Sequence, residues 1–371
     1  MVFTARDGAY RERIGIEGTG LGEFQRPNEV FVIDDLAVVV ERDNRRIQVI
    51  RLPDRTPLGT FGQARLRKPY GCTVFRSYFG YELFVTDDYD ASAVSELDER
   101  VKHYRFTVTE TGIDASHVNT FGATEKPGAL SEVETIYADP ASNRLAIADE
   151  RASSIKLYDL AGNFVSVGPT VFDADPEGID LYTDDEDGYW LCTDQIDERS
   201  RFHVFDRDSF DHRATFRGER TADTDGVWLT QQEFGPFSEG AFFAVHADRS
   251  VSAFDWEDIE AIVDDETSGH AADRSTIGHP AESQPFCLRP SSGRVCPSAS
   301  TKREKAQPWG RCSPQPSTSR TRTLFQTGSG TRNGSHPTDA RNWRRSSAPT
   351  IESRSASPRS HPPGSTIRGP T

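Results

Sequence analysis

Methionine occurs once in the 371 residues, and lysine appears only four times before residue 267, at Lys68, Lys102, Lys126 and Lys156. Five cysteines are present, and none has zinc-ligand spacing with any of the nine histidines. That excludes the usual zinc motifs and argues against a disulfide framework; Cys72 and Cys192, isolated in strand-like contexts, read as small core residues. No apolar run approaches the roughly 20 residues that a membrane-crossing helix needs. Residues 1–13 lack the apolar stretch of a signal peptide, so either the protein stays in the cell or this start lies inside a longer chain. Gly-x-Ser-x-Gly, a phosphate loop and a recognisable Cys–His pairing are all missing.

What is there divides into two unlike pieces. Residues 1–266 hold 27 Lys and Arg against 53 Asp and Glu, whereas 267–371 hold 16 against 5. The overall charge of −15 therefore averages a strongly acidic segment and a basic one. The acidic, lysine-poor segment fits a surface kept soluble at high salt, and equally a GC-rich genome that favours arginine codons. Such a surface repels nucleic acid and anionic membrane, and neither is expected as a partner. Residues 267–371 are rich in Ser, Pro and Arg and show no sustained period, so they are expected to be a disordered tail. They read either as a basic arm or, given the abrupt change of residue usage after Asp264-Asp265-Glu266, as a read-through in a shifted frame.

Residues 1–266 consist of short apolar-alternating runs broken by Gly, Asp, Asn and Pro, for example 28–40, 47–52, 144–148, 189–193 and 241–246. A larger unit recurs: an apolar strand ending in acids, a polar turn, then a strand closing on an aromatic or aliphatic residue. It reads LAVVVERDNRRIQVIRLPD at 36–54, LAIADERASSIKLYDLAG at 145–162 and YWLCTDQIDERSRFHVFDRDS at 189–209. Looser copies at 82–106 and 242–256 bring the count to five, spaced by about 50 residues on average. Strand-rich repeats of this length are blades of an all-β propeller, with β-sandwich repeats as the alternative.

In a propeller, acids at strand ends converge on the axis. The candidates are Glu41-Arg42-Asp43, Asp87-Asp88, Asp149-Glu150, Asp194-Gln195 and His246-Ala247-Asp248, with Glu132, Glu134, Glu177, Asp223 and Asp225 in preceding loops. An all-oxygen set suits calcium. In so acidic a chain, each of these residues also reads as solvated surface. His203 and His246 lie within strands and read as packed or hydrogen-bonded side chains.

Five motifs in order over about 127–259 carry a resemblance to the calcium-dependent β-propeller phytases. They are Ser131-Glu132-Val133-Glu134 before Ile147-Ala148-Asp149-Glu150; Asp175-Pro176-Glu177-Gly178-Ile179; Thr193-Asp194-Gln195; Asp223-Thr224-Asp225-Gly226-Val227; and Gly235-Pro236-Phe237 through Trp256-Glu257-Asp258-Ile259. The first blade, with Gly18-Thr19-Gly20 and Glu41-Arg42-Asp43, is similar to NHL-type repeats.

The resemblance implies a six-bladed ring, so an N-terminal strand or blade is missing from the visible pattern. It implies calcium-dependent hydrolysis of phosphomonoesters of myo-inositol hexakisphosphate (phytate) by a monomer. The implied roles are Glu134, Glu177, Gln195 and Asp225 as metal ligands, Glu150 as the group that positions or deprotonates water, and Arg42 and Tyr70 as phosphate holders. By themselves, Arg42 also reads as a turn residue paired to Glu41 or Asp43, and Tyr70 as core. The family's N-terminal Asp-Asp-Pro-Ala and its lysine cluster have no counterpart, and Asp87-Asp88 stands at one of its lysine positions. A non-catalytic NHL-like binding module and a calcium-dependent lactonase-type hydrolase are the competing functions.

Overall fold

The computed structural model describes residues 2–4, 8–184, 187–267, 276–277 and 286–287. Most of the expected tail therefore lies outside the described residues. Strands dominate, and no described helix is long and apolar enough to cross a membrane.

Five antiparallel sheets follow one another along the chain, each built as a meander. Their innermost strands are Pro27–Ile33, Pro69–Ser77, Val133–Asp139, Asp175–Asp184 and Val227–Thr230. Each pairs with a second strand: Leu36–Glu41, Gly80–Asp87, Arg144–Asp149, Asp187–Gln195 and Ala241–His246. In the last blade the third strand, Ser250–Asp255, pairs outward with Phe286–Cys287. Thr276–Ile277 runs parallel to Arg217–Gly218 at the edge of the fourth.

Second strands read as continuous apolar runs because both of their faces are buried between blades. Val38 and Val40 face the second blade, where they meet Val74, Leu83 and Val85; Ala37 and Val39 face the other way. Leu145 and Ile147 pack with Phe84 and Phe121 of blade two, while Ala146 and Ala148 pack with Trp190 and Phe205 of blade four. Leu191, Phe202 and Val204 pack with Phe242 and Phe254 of blade five, and the helix Trp256–Thr267 adds Ile259, Ile262 and Val263 to that core. Cys72 and Cys192 are buried free thiols in these layers.

Among the described residues, the propeller has five blades and not the six implied by the resemblance. Its last seam is built differently from the other four. Blade one turns Ala37, Val39 and Ile50 toward a strap carrying Ile14 and Phe24, and blade five turns Ala241 and Ala253 toward Phe234 and Phe237. The two blades meet through Phe31 and Trp228, whose rings stand edge to face with centroids 5.6 Å apart. This aromatic contact joins the first and last blades, while Val30 and Val32 on the same innermost strand of blade one stay exposed.

A second device repeats in every blade. The last residue of the second strand, or its neighbour, bonds the backbone of the loop that enters the innermost strand. Asp87 accepts from the N–H of Arg67 and Lys68, Asp149 from Ser131 and Glu132, and Asp194 from Asp173 and Ala174. Glu41 accepts from Gln25 N–H, and the His246 ring nitrogen meets Ala222 N–H in blade five. A basic side chain on the third strand completes most of these staples: Arg46 at 2.6 Å from Glu41, Lys102 at 3.4 Å from Asp87 and the His203 ring at 3.6 Å from Asp194. These acids were expected at the axis. They instead serve the backbone, because each ends a second strand rather than an innermost one.

Asp87 and Lys102 are both almost wholly enclosed. Removing one member of such a pair leaves a buried charge without its partner, besides two N–H groups without an acceptor. Asp87→Ala is therefore expected to lower the unfolding free energy by about 3–5 kcal/mol. The measurement is a urea titration, with the midpoint falling and the slope unchanged.

Candidate functional site

The staples fix what the neighbouring residues do. Successive side chains along a strand point to opposite sides. The residue after each staple acid is therefore turned away from the backbone it serves: Arg42, Asp88, Glu150 and Gln195. A second series stands at the first turn of the innermost strands, at the position paired with the staple or one beyond it. It reads Asn28, Tyr70, Glu134, Glu177 and Asp225, and in the first four blades a register irregularity follows at once. Such bulges re-aim side chains. Both series occupy the same end of the ring, where second strands finish and innermost strands begin.

All seven residues singled out from the sequence lie at this end, and contacts link most of them across blades. Gln195 Nε2 donates to Asp225 Oδ1, joining blades four and five. The Tyr70 hydroxyl of blade two faces Glu134 of blade three, which also meets Glu150. Glu177 feels the charges of Glu134, Asp225 and Glu150. Arg42 lies over the Tyr70 ring, 5.0 Å from its centroid. Its partner is Asp88, 3.2 Å from Nη2, and not Glu41 or Asp43. Glu134 and Glu177 belong to the innermost strands themselves, although the sequence placed them in loops.

The electrostatics follow from this crowding. Burial first, then the neighbouring Glu134 and Asp225 charges, push the Glu177 carboxyl far above the ordinary range. Glu134 is also raised, chiefly by burial, with Asp88 and Glu150 adding to it and the Tyr70 hydroxyl opposing. Burial, then Asp248 and Asp223, raise Asp225; burial, then Glu132 and Asp175, raise Glu150. The Tyr70 hydroxyl is held protonated by burial and by Glu177 and Glu134.

Some polar atoms here have no protein partner. Glu134 and Glu177 are 4% and 5% exposed, and the Oε2 atom of each is buried without a hydrogen bond. Arg42 is 8% exposed, with Nε and Nη1 likewise unpartnered. Buried polar groups in folded proteins are nearly always satisfied, so acceptors and donors left open at one end of the ring point to a place where something else can bind. The acceptors are all oxygens, which fits a hard divalent cation such as calcium. Among the described residues, no three acidic, His or Cys side chains are drawn together as a ready-made metal clasp.

The mouth is also bipolar. Blades three to five contribute Glu134, Glu150, Glu177 and Asp225. Blades one and two contribute Arg42, Lys68 and Arg100, gathered on Asp88. Lys68 and Arg100 were missed in the sequence, where the lysine cluster was sought by motif. Lys68 directly precedes Pro69-Tyr70, which is the signal that could have found it. A cavity of about 860 Å³ lies elsewhere, at the far ends of the innermost strands, bordered by Tyr137, Asp139, Asp180 and Trp228. Its polar groups serve the fold: Asp139 is bidentate to Arg207, and Asp180 accepts from Leu229 N–H.

No known protein family matches the chain, and neither does any curated protein. Among solved structures, the WD40 domain of Neurospora crassa Pan2 aligns at 9% identity and a TM-score of 0.39, over 62% of this chain and 62% of that one. A chain of a nidogen/laminin complex aligns at 16% identity and a TM-score of 0.42, over 61% and 73%. The chain thus spans less than two thirds of the Pan2 structure. The class of protein is read from the sheets themselves: an all-β propeller with an axial mouth that is acidic on one side and basic on the other.

Between the mouth and the cavity, Glu29, Cys72, Tyr137 and Asp180 of four blades approach the axis. Burial pushes Glu29 up to about 8, partly offset by Cys72 N–H, and pushes Asp180 up to about 7. Their ordinary values are 4.5 and 3.8, so the folded state holds these protons more tightly than the unfolded chain. Their contribution to stability is present in acid and is lost as the pH rises toward the folded values. Thermal melts without divalent cations should show the midpoint falling from pH 5 to pH 8. Glu29→Gln should flatten that slope and melt above the parent at pH 8; an unaltered slope would count against the assignment.

Proposed function

We propose that this propeller is a calcium-dependent phosphomonoesterase, and that its substrate class is the densely phosphorylated polyols typified by myo-inositol hexakisphosphate. One observation supports the reading above the rest: at the same end of the ring, Glu134 and Glu177 each keep a buried carboxylate oxygen, and Arg42 two buried guanidinium nitrogens, without a protein partner. A phosphoryl group needs both partners, a cation for its charge and fixed donors for its oxygens.

Glu134, Glu177 and Asp225, with the side-chain oxygen of Gln195, would hold the cation. Bound there, calcium would neutralise phosphate charge and make a water more acidic. Arg42 Nε and Nη1 would orient the phosphoryl oxygens, and the Tyr70 hydroxyl, held protonated, would donate to them. Glu150 is partly exposed, and its raised affinity for protons suits it to take one from an attacking water. In that step the water oxygen bonds to phosphorus, the ester oxygen leaves, and the leaving alkoxide takes a proton from solvent. A mouth of acids alone would repel such a substrate, and the cation reverses that field. A non-catalytic binding module and a lactonase-type hydrolase compete with this reading; the open donors of Arg42 favour an anionic ligand, and phosphate release separates catalysis from binding alone.

The test is phosphate release from myo-inositol hexakisphosphate by the full chain, with calcium and with chelator. Release should require calcium, and Glu150→Gln should reduce turnover by about 100-fold or more. Glu177→Gln should also abolish the calcium-dependent rise in melting temperature. Calcium stabilisation without any release would leave a calcium-binding propeller that is no esterase, and no calcium effect at all would end the reading.

A further inference from the structure

Asp88 holds the place in blade two that Arg42, Glu150 and Gln195 hold in theirs, one residue beyond the staple carboxylate. Its surroundings are different. Arg42 Nη2 is 3.2 Å from Asp88 Oδ2, Lys68 Nζ is 3.4 Å away, and Arg100 Nη1 is 3.9 Å from Oδ1. The three cations are not equivalent. Arg100 is committed to the fold, donating to the carbonyls of Tyr89 and Ser131 at 2.6 Å and of Leu130 at 3.2 Å. The Arg42 guanidinium makes one hydrogen bond, to Asp88, and leaves Nε and Nη1 buried and open. The Lys68 side chain is 37% exposed, and its ammonium reaches the same carboxylate.

A carboxylate offers two oxygens and one negative charge. A phosphoryl group offers three oxygens and nearly two charges at neutral pH. The cations around Asp88 are therefore only partly satisfied by it, in number of bonds and in charge. Arg42 has the planar fork suited to a phosphoryl group, and Lys68 adds a point charge at the entrance.

We infer that Asp88 is a built-in competitor: its carboxylate occupies the position in which a phosphoryl group meets Arg42 and Lys68, and a ligand must displace it to bind. This rests on the phosphoesterase reading of the mouth and deepens it by naming the residue that sets affinity and selectivity. Monoanionic carboxylates gain nothing by replacing Asp88, because they repeat its chemistry. Phosphoryl groups gain both charge and the open donors of Arg42. The site thereby discriminates in favour of highly charged phosphorylated ligands and holds single phosphates weakly.

The experiment is calorimetric titration of the full chain with inorganic phosphate in saturating calcium. Asp88→Asn keeps the size and one acceptor oxygen for Arg42 but removes the charge, and is expected to tighten phosphate binding by about tenfold or more. Asp88→Glu, which keeps the charge, should bind as the parent does. Lys68→Gln, at the exposed side of the cluster, should weaken binding on its own and should cancel much of the gain in the Asp88→Asn background. If Asp88→Asn binds phosphate no better than the parent, or worse, Asp88 merely supports Arg42 and the inference fails. It fails as well if Lys68→Gln has no effect. The calcium-dependent rise in melting temperature, read on the same samples, separates the two layers: its loss in the parent chain defeats the phosphoesterase reading, whereas its persistence with unchanged phosphate affinity in Asp88→Asn defeats this inference alone.

Discussion

Each blade depends on a carboxylate, or in the last blade a histidine, that ends the second strand and bonds the backbone of the entering loop. Glu41, Asp87, Asp149, Asp194 and His246 do this in turn. Without these acceptors, the loops that feed the innermost strands would carry unmet N–H groups into a crowded interior. With them, the entry to every innermost strand is pinned to its neighbour. The residue one step beyond is then turned outward by the alternation of the strand. The mouth is a by-product of this structural device repeated five times.

Chemical variety enters through the positions that the staple leaves free. Around the outer series the chain places Arg42, Asp88, Glu150 and Gln195, and around the inner series Asn28, Tyr70, Glu134, Glu177 and Asp225. The acids collect on blades three to five and the cations on blades one and two. Crowded carboxylates raise one another's proton affinity, and burial raises it further, so this half of the mouth holds protons more tightly than free carboxylates do. On the opposite half, among the described residues, Asp88 pairs with Arg42 and Lys68 and shares Arg100 with backbone carbonyls. The two halves carry complementary charge.

Much of the architecture was legible along the chain. Runs such as Leu36–Glu41 and Arg144–Asp149 are apolar throughout because both faces meet other blades, and the turn residues between runs are local in origin. The five-fold repeat followed directly. The blade number implied by resemblance did not hold, and the contact between the first and last blades, Phe31 with Trp228, joins residues that lie far apart in sequence and form no motif. Among the candidate acids, the text could not separate Asp149 from Glu150 or Asp194 from Gln195. Adjacent residues at a strand end share composition and spacing, and differ only in which side of the sheet they face.

The order of strands, the five repeats and the acid at each strand end were determined by the sequence alone, since apolar periodicity and turn chemistry act over short distances. Only the tertiary structure decided that Arg42 answers Asp88 rather than Glu41, that Lys68 belongs to the mouth, and that Glu134, Glu177 and Arg42 keep buried polar atoms without a protein partner. Those facts depend on side chains of different blades meeting at one axis. Such a meeting is fixed by the twist and closure of the whole ring, which no local pattern encodes.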